Sequence, residues 1–109
     1  MKVLLFAILD NSPVCESLLR DLSKDGYNGT VINTNGLKHV LPKLSNSGVA
    51  ISLSSMVDDL PQGNLTLFII IDEEKVETLK QKIRSATEGF TKVKGGMFVL
   101  PLASVEGTF

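Results

Sequence analysis

The sequence contains one cysteine, one histidine and no tryptophan, and these scarcities exclude several kinds of site. One thiol cannot form an internal disulfide, nor can it supply the paired thiolates that a soft-metal chaperone needs. One histidine cannot build a catalytic histidine pair or a histidine-rich metal centre. We interpret Cys15 as a small packed residue and His39 as a solvated side chain. Because secreted small domains usually carry several cysteines, a cytoplasmic location is the expectation.

An excess of charge of one sign is also missing. Eleven basic residues are scattered among twelve acidic ones, and the net charge is −1. Nucleic-acid binding requires basic residues clustered on one face, so nucleic acid is not an expected partner. The apolar runs Val3–Leu9 and Leu65–Ile71 are far too short to span a membrane, and the first is not followed by the small-residue cleavage site of a signal peptide. Both runs favour buried strands, and the protein is not expected to be membrane-embedded.

The 109 residues suit one domain, and their apolar spacing predicts six elements. Ser12 and Pro13 are typical of a helix start, because serine accepts a bond from a free backbone N–H and proline has none to lose. The predicted elements are a strand at 3–9, a helix from Pro13 to about Gly26, a strand from Thr30, a strand at 65–71, a helix capped by Asp72 and ending near Gly89, and a strand at 97–102. This order predicts an α+β, ferredoxin-like βαββαβ antiparallel sheet with two helices on one face. Residues 34–63 are predicted to form an extended loop or hairpin between the second and third strands.

Two helices cannot cover both faces of a four-stranded sheet. The strands at 3–9 and 65–71 are nevertheless apolar at consecutive positions, so both of their faces carry apolar side chains. An uncovered apolar face favours contact with another subunit, and we therefore expect a homo-oligomer.

Groups that carry catalysis are sparse. Asp58 and Asp59 form an acidic pair in the 34–63 segment; adjacent carboxylates can bind a hard cation, and a solvated acidic turn is the alternative. No glycine signature of a nucleotide-phosphate loop is present, and no nucleophile is followed by a recognisable base. We therefore expect no catalysis, no metal site and no cofactor, and we favour non-catalytic binding of a small ligand. An enzyme is the least supported of the functions considered.

The C-terminal strand is the most specific part of the sequence. Gly95-Gly96 leads into Met97-Phe98-Val99-Leu100-Pro101, which resembles the last strand of PII-like signal proteins, nearest to their cyclic di-AMP receptor branch. The strand ending Leu9-Asp10, the stretch Gly63-Asn64-Leu65-Thr66 and the acidic helix start at 72–76 are similar to the corresponding parts of that family. The resemblance implies a homotrimer with ligand sites in clefts between subunits, near the base of a long loop that a regulated partner protein reads.

Four positions match ligand-contacting positions of that branch: Thr30, Gly36, Asn64 and Phe98. The threonine and asparagine would hydrogen-bond a base or phosphate, the glycine would let backbone N–H groups approach a phosphate, and the phenylalanine would stack on a purine. Each residue also has a simpler explanation. Thr30 would favour a strand, Gly36 would form a turn, Asn64 would cap the start of a strand, and Phe98 would belong to the core. Asn28 stands where the branch carries an arginine, so a phosphate clamp is missing and the ligand is not identified. The alternative function is a protein-interaction module whose long loop docks on a partner without a small ligand.

Overall fold

The computed structural model describes residues 1–37 and 63–109. His39, Asp58, Asp59 and most of the predicted loop at 34–63 lie outside the described residues. The described elements are β1 (Lys2–Asp10), α1 (Pro13–Lys24), β2 (Thr30–Thr34), β3 (Asn64–Asp72), a 3₁₀ turn (Glu73–Lys75), α2 (Val76–Thr87) and β4 (Gly95–Pro101). None of the helices within these two ranges is long and apolar enough to cross a membrane.

The four strands form one antiparallel sheet in the order β2-β3-β1-β4. The central strands β1 and β3 pair over their whole length, with Phe6 opposite Phe68. On the other side of β1, the same Phe6 lies opposite Phe98 of β4. On the far side of β3, Thr30 of β2 is the partner of Phe68. The predicted ferredoxin-like arrangement is confirmed.

The core lies between one face of the sheet and both helices. Alternate residues of β1 point to this face, because successive side chains of a strand point to opposite sides. The sheet residues buried there are Val3, Leu5, Ala7, Leu9, Leu67 and Ile69, and the helix residues are Cys15, Leu18, Leu22, Leu79 and Ile83. The buried helix residues are spaced three or four positions apart, which gives each helix one apolar stripe. The prediction that both helices cover a single face is therefore confirmed.

The ends of the helices follow the sequence signals at α1 and depart from them at α2. The backbone N–H of Cys15 donates to Ser12 Oγ at 3.3 Å, and Gly26 has φ +88°, so the predicted start and stop of α1 are confirmed. The prediction that Asp72 caps the second helix is wrong, because its side chain makes no capping bond and instead lies 2.9 Å from Lys2 Nζ. The 3₁₀ turn separates Asp72 from α2.

The C-terminal end of α2 is stabilised by a threonine. Thr87 Oγ1 donates to the carbonyl of Ile83 at 2.8 Å and accepts from the backbone N–H of Phe90 at 3.2 Å. The helix ends there, because Glu88 at the cap takes the left-handed conformation with φ 51°. Gly89 is one residue beyond the cap and also has positive φ, close to its predicted position.

The two adjacent glycines that begin β4 have different roles. Gly95 has φ +143°, and a Cβ atom there would lie 1.9 Å from the carbonyl oxygen of Ile8, so no side chain fits between the two strands. Gly96, on the opposite face of the sheet, would have open space around a Cβ atom. The first glycine is therefore required for β4 to pair with β1.

Candidate ligand-binding site

The sheet face away from the helices carries a row of three phenylalanines. Phe68, Phe6 and Phe98 come from β3, β1 and β4, with ring centroids 4.6 Å apart for the first pair and 4.8 Å for the second. Phe98, at the β4 end, is 47% exposed, and so is its neighbour Leu100. The side chains around this row are also largely apolar, which agrees with the predicted apolar second face.

One end of the phenylalanine row opens into a groove of about 630 Å³. Its floor is formed by the cross-strand pairs Leu4–Ile70 and Phe6–Phe68, and its walls by the start of β2 and by the segment that follows β4. The lining residues are Leu4, Phe6, Asn28, Gly29, Thr30, Phe68, Ile70, Thr108 and Phe109. The volume lies within the range of small-molecule sites, about 300–1,000 Å³.

Gly29 shapes the β2 wall of the groove. A Cβ atom at this position would lie 2.7 Å from the carbonyl oxygen of Phe68 and 2.9 Å from Ile69 Cγ1. The backbone of residues 28–30 can therefore approach β3 only because residue 29 has no side chain. This close approach positions Asn28 and Thr30 beside the phenylalanine row.

A second, smaller depression of about 350 Å³ shares Asn28, Ile70 and Phe109 with the groove. It carries four charged side chains, Lys2, Asp25, Asp72 and Lys75, which sum to zero net charge. Lys2 pairs with Asp72 at 2.9 Å and lowers the pKa of that carboxyl below its ordinary value, first through a hydrogen bond and then through its charge. Asp25 pairs with Lys82 at 2.7 Å.

The opposite end of β2 is polar. Thr34 and Thr66 lie on the open face, and their hydroxyl oxygens are 2.8 Å apart. Thr34 is the strand partner of Asn64, so the two ends of segment 35–63 leave and rejoin the sheet at neighbouring positions. Gly36 lies two residues beyond this pair and is exposed.

The four residues predicted to contact a ligand fall in three places. Thr30 lines the groove, Asn64 and Gly36 lie at the other end of β2, and Phe98 lies on the opposite edge strand. Thr30 and Phe98 stand at the two ends of one cross-strand row, three strand spacings or about 14 Å apart. Within one subunit the structure therefore does not bring the four residues together.

Sequence reasoning missed two aromatic residues beside Thr30. Phe68 is the one aromatic residue of the apolar run at 65–71, but only the register between β2 and β3 places it opposite Thr30. Phe109 carried no such signal, because it follows β4 outside any regular element. Only the folded chain brings it beside Asn28 and Ile70.

Groups able to hold a metal or act as a nucleophile do not cluster in the described ranges. No three histidine, cysteine, aspartate or glutamate side chains lie together there. Cys15 is buried, and burial, followed by the nearby charge of Asp10, raises the pKa of its thiol. Such a thiol is a poor nucleophile, because the reactive thiolate is disfavoured.

The chain matches no protein-family model, and no curated protein is detectably similar to it. Solved structures do match. A functionally unknown protein from Pediococcus pentosaceus has a TM-score of 0.64 at 19% identity, over 98% of this chain and 97% of the other. A candidate PII-like signalling protein from Thermus thermophilus has a TM-score of 0.53 at 20% identity, over 92% of this chain and 86% of the other. At this level of identity the likeness establishes the fold that the chain shares with both proteins.

Proposed function

We propose that this chain is a non-catalytic PII-like signalling protein that forms a homotrimer, binds a nucleotide-type ligand between subunits and relays binding through segment 34–63 to a regulated partner protein. Two lines of support are independent of each other. The fold is shared with a candidate PII-like signalling protein, and the C-terminal strand resembles that of the cyclic di-AMP receptor branch. A cytoplasmic location accompanies the proposal.

The observation that carries the assembly is the apolar open face of the sheet. The phenylalanine row, Leu100 and Ile32 leave a large apolar surface outside the core, with Ile32 42% exposed. A surface of this kind is stabilised when a second copy covers it. Lys2 and Asp72, at one end of this face, pair with each other at 2.9 Å, so burial of that end would leave neither of these two charges without a partner.

Assembly also supports the proposed ligand contacts. In the described part of the chain, β2 and β4 are the two outer strands, with Thr30 on one and Phe98 on the other. In a ring of identical subunits, one outer strand of each subunit can approach the opposite outer strand of the next. A cleft there would contain Thr30 and Phe98 from different subunits. Asn64 and Gly36 would lie toward the end of the cleft where β2 ends at Thr34.

Two measurements test the proposal together. Light scattering on purified protein should give three times the chain mass of 11.8 kDa. Thermal shift against a panel of mononucleotides, dinucleotides and cyclic dinucleotides should give at least one stabilising ligand, because a ligand that binds only the folded state raises the melting temperature. The variant Phe98→Ala, which removes a proposed ligand contact, should weaken binding of that ligand.

A monomer with no stabilising nucleotide would refute the proposal. A trimer that binds no nucleotide, and that captures a partner only when segment 34–63 is intact, would favour the alternative of a protein-interaction module. Cyclic di-AMP belongs in the panel, although Asn28 does not supply the charge-assisted contact that an arginine makes with phosphate.

A further inference from the structure

We propose that Asn35 is a site of spontaneous chemical modification, at which its neutral amide is converted to the carboxylate of aspartate or isoaspartate. The chain contains two Asn-Gly pairs, Asn28-Gly29 and Asn35-Gly36. A glycine after an asparagine favours attack of its backbone nitrogen on the side-chain amide, because no Cβ atom hinders the approach. The structure distinguishes the two pairs and points to the second.

The reaction at residue 35 needs water as its only co-reactant. The backbone nitrogen of Gly36 attacks Cγ of Asn35, the bond from Cγ to Nδ2 breaks, and ammonia leaves with the proton of the attacking N–H. The product is a five-membered succinimide ring, which water opens at either of its two carbonyls to give aspartate or isoaspartate. One amide and one water thus become one carboxylic acid and one ammonia, and the chain gains one negative charge once the acid ionises.

The first Asn-Gly pair is held by the sheet. A Cβ atom on Gly29 would lie 2.7 Å from the carbonyl oxygen of Phe68 and 2.9 Å from Ile69 Cγ1. The next residue, Thr30, pairs with Phe68 in the ladder between β2 and β3. The attack requires the peptide after the asparagine to rotate toward the side chain. At residues 28–29 this rotation would move backbone that is packed against β3, so the fold opposes it.

The second Asn-Gly pair lies just beyond the end of β2 at Thr34, where this restraint is missing. Apart from its chain neighbours, no heavy atom of the described residues lies within 4 Å of the position that a Cβ atom of Gly36 would take. Gly36 is exposed, and Leu37 after it is 72% exposed. The peptide between residues 35 and 36 can therefore rotate without breaking a strand pair.

The side chain of Asn35 is also not held by its amide oxygen. This oxygen is buried and accepts no hydrogen bond within the described part of the chain. It lies against the returning chain, because a Cβ atom on Gly63 would be 3.1 Å from it. A buried acceptor without a donor raises the free energy of the folded state. The rotation that brings Cγ to the nitrogen of Gly36 therefore costs no hydrogen bond at this oxygen.

The new carboxylate would lie beside two of the proposed ligand contacts. Asn35 directly precedes Gly36, and Thr34 before it is the strand partner of Asn64. This consequence rests on the proposed function, whereas the modification itself does not. A negative charge there would repel the phosphate of a nucleotide-type ligand. A ligand bound over Gly36 would in turn slow the reaction, because it would hold the peptide that has to rotate.

Peptide mapping by mass spectrometry measures the conversion of Asn28 and Asn35 in the same sample, so each asparagine is the control for the other. The folded protein is incubated over a series of pH values, and a second sample is unfolded in guanidinium chloride to give the rates that local sequence alone sets. Chromatography separates the aspartate and isoaspartate products. The variant Gly36→Ala puts a methyl group beside the attacking nitrogen and fits the open space there, and circular dichroism confirms that it is folded.

In the folded protein we expect Asn35 to react at least about tenfold faster than Asn28, which corresponds to a difference of about 1.4 kcal/mol between the two barriers. In guanidinium chloride the two rates should converge. The rate at Asn35 should rise with pH, because the backbone nitrogen attacks after losing its proton. Gly36→Ala should slow the reaction at Asn35 and leave the rate at Asn28 unchanged.

Exposure alone predicts the opposite order, because Asn28 is exposed and Asn35 is half-buried. Faster reaction at Asn28, equal rates in the folded protein, or no conversion at Asn35 would each overturn the inference and leave the proposed function standing.

The effect on the ligand is tested separately by thermal shift with Asn35→Asp, which carries the charge of one product. We expect a smaller stabilisation by the nucleotide that stabilises the wild type, and an equal stabilisation would overturn this effect while the modification site stands. If no nucleotide of the panel stabilises the wild type, the ligand of the proposed function is refuted, and the rates at the two asparagines still decide the modification.

Discussion

Replacing Gly95 by alanine should unfold the edge of the sheet, whereas the same change at Gly96 should be tolerated. At residue 95 the new Cβ atom would lie 1.9 Å from the carbonyl oxygen of Ile8, which belongs to the backbone and cannot rotate away. The backbone at φ +143° is also unfavourable for any residue with a side chain. Strain of this kind costs about 1–3 kcal/mol, to which the loss of close pairing with β1 adds.

We therefore expect Gly95→Ala to lower the free energy of unfolding by about 3 kcal/mol, taking the upper end of that range for the backbone contact. Gly96→Ala should change it by less than about 0.5 kcal/mol, as surface substitutions usually do. Urea unfolding followed by circular dichroism measures both. With a slope of about 1.5 kcal/mol per molar urea, the first midpoint should fall by about 2 M. All samples need one protein concentration, because the stability of an oligomer depends on it.

Equal midpoints for the two alanine variants would refute this account of the glycine pair. The comparison is well matched, because the residues are adjacent in one strand and receive the same substitution. Lower stability of Gly96→Ala alone would instead indicate that the open face has no room at this position in the assembled protein.

Three further results are expected. Gly29→Ala should reduce both stability and ligand binding, because the new Cβ atom would lie 2.7 Å from the carbonyl oxygen of Phe68. Thermal melting and calorimetry measure the two effects, and an unchanged melting temperature and dissociation constant would contradict the prediction. Thr87→Val should lower the free energy of unfolding, measured by urea unfolding, by about 1–3 kcal/mol, because the backbone N–H of Phe90 would lose the hydroxyl to which it donates. Asp72→Asn should lower the melting temperature at neutral pH. Because Lys2 lowers the pKa of Asp72, the pair stabilises the fold above the ordinary carboxyl range, so the difference from wild type should disappear as the pH falls through the lowered pKa; a difference that persists in acid would contradict this.

The sheet and helices could be predicted because their signals are local. The continuous apolar runs at 3–9 and 65–71, and the Ser12–Pro13 start, each specify an element from a few neighbouring residues. The prediction for Asp72 was wrong because a carboxylate before a helix can pair with a lysine instead of capping the helix. Its partner, Lys2, lies beside it only because β1 pairs with β3, and this pairing is not visible in the local sequence.

The groove could be predicted only in part. Thr30 came from a resemblance, and its neighbours follow from the register in which β2 pairs with β3, which a continuous apolar run does not specify. Phe109 depends on where an irregular segment runs after β4, and no periodicity encodes that path. The distance between Thr30 and Phe98 likewise follows from strand order, which sets non-consecutive strands side by side.

The pairing of Thr34 with Asn64 has a consequence for how this protein can vary. Because the chain leaves the sheet at Thr34 and returns at its strand partner Asn64, the pairing of β2 with β3 does not fix the number of residues between them. The entropy cost of closing such an excursion rises only with the logarithm of its length. The fold should therefore tolerate shortening, lengthening or a whole inserted reporter domain there, and a reporter in the segment that we propose relays binding would give a fluorescent sensor.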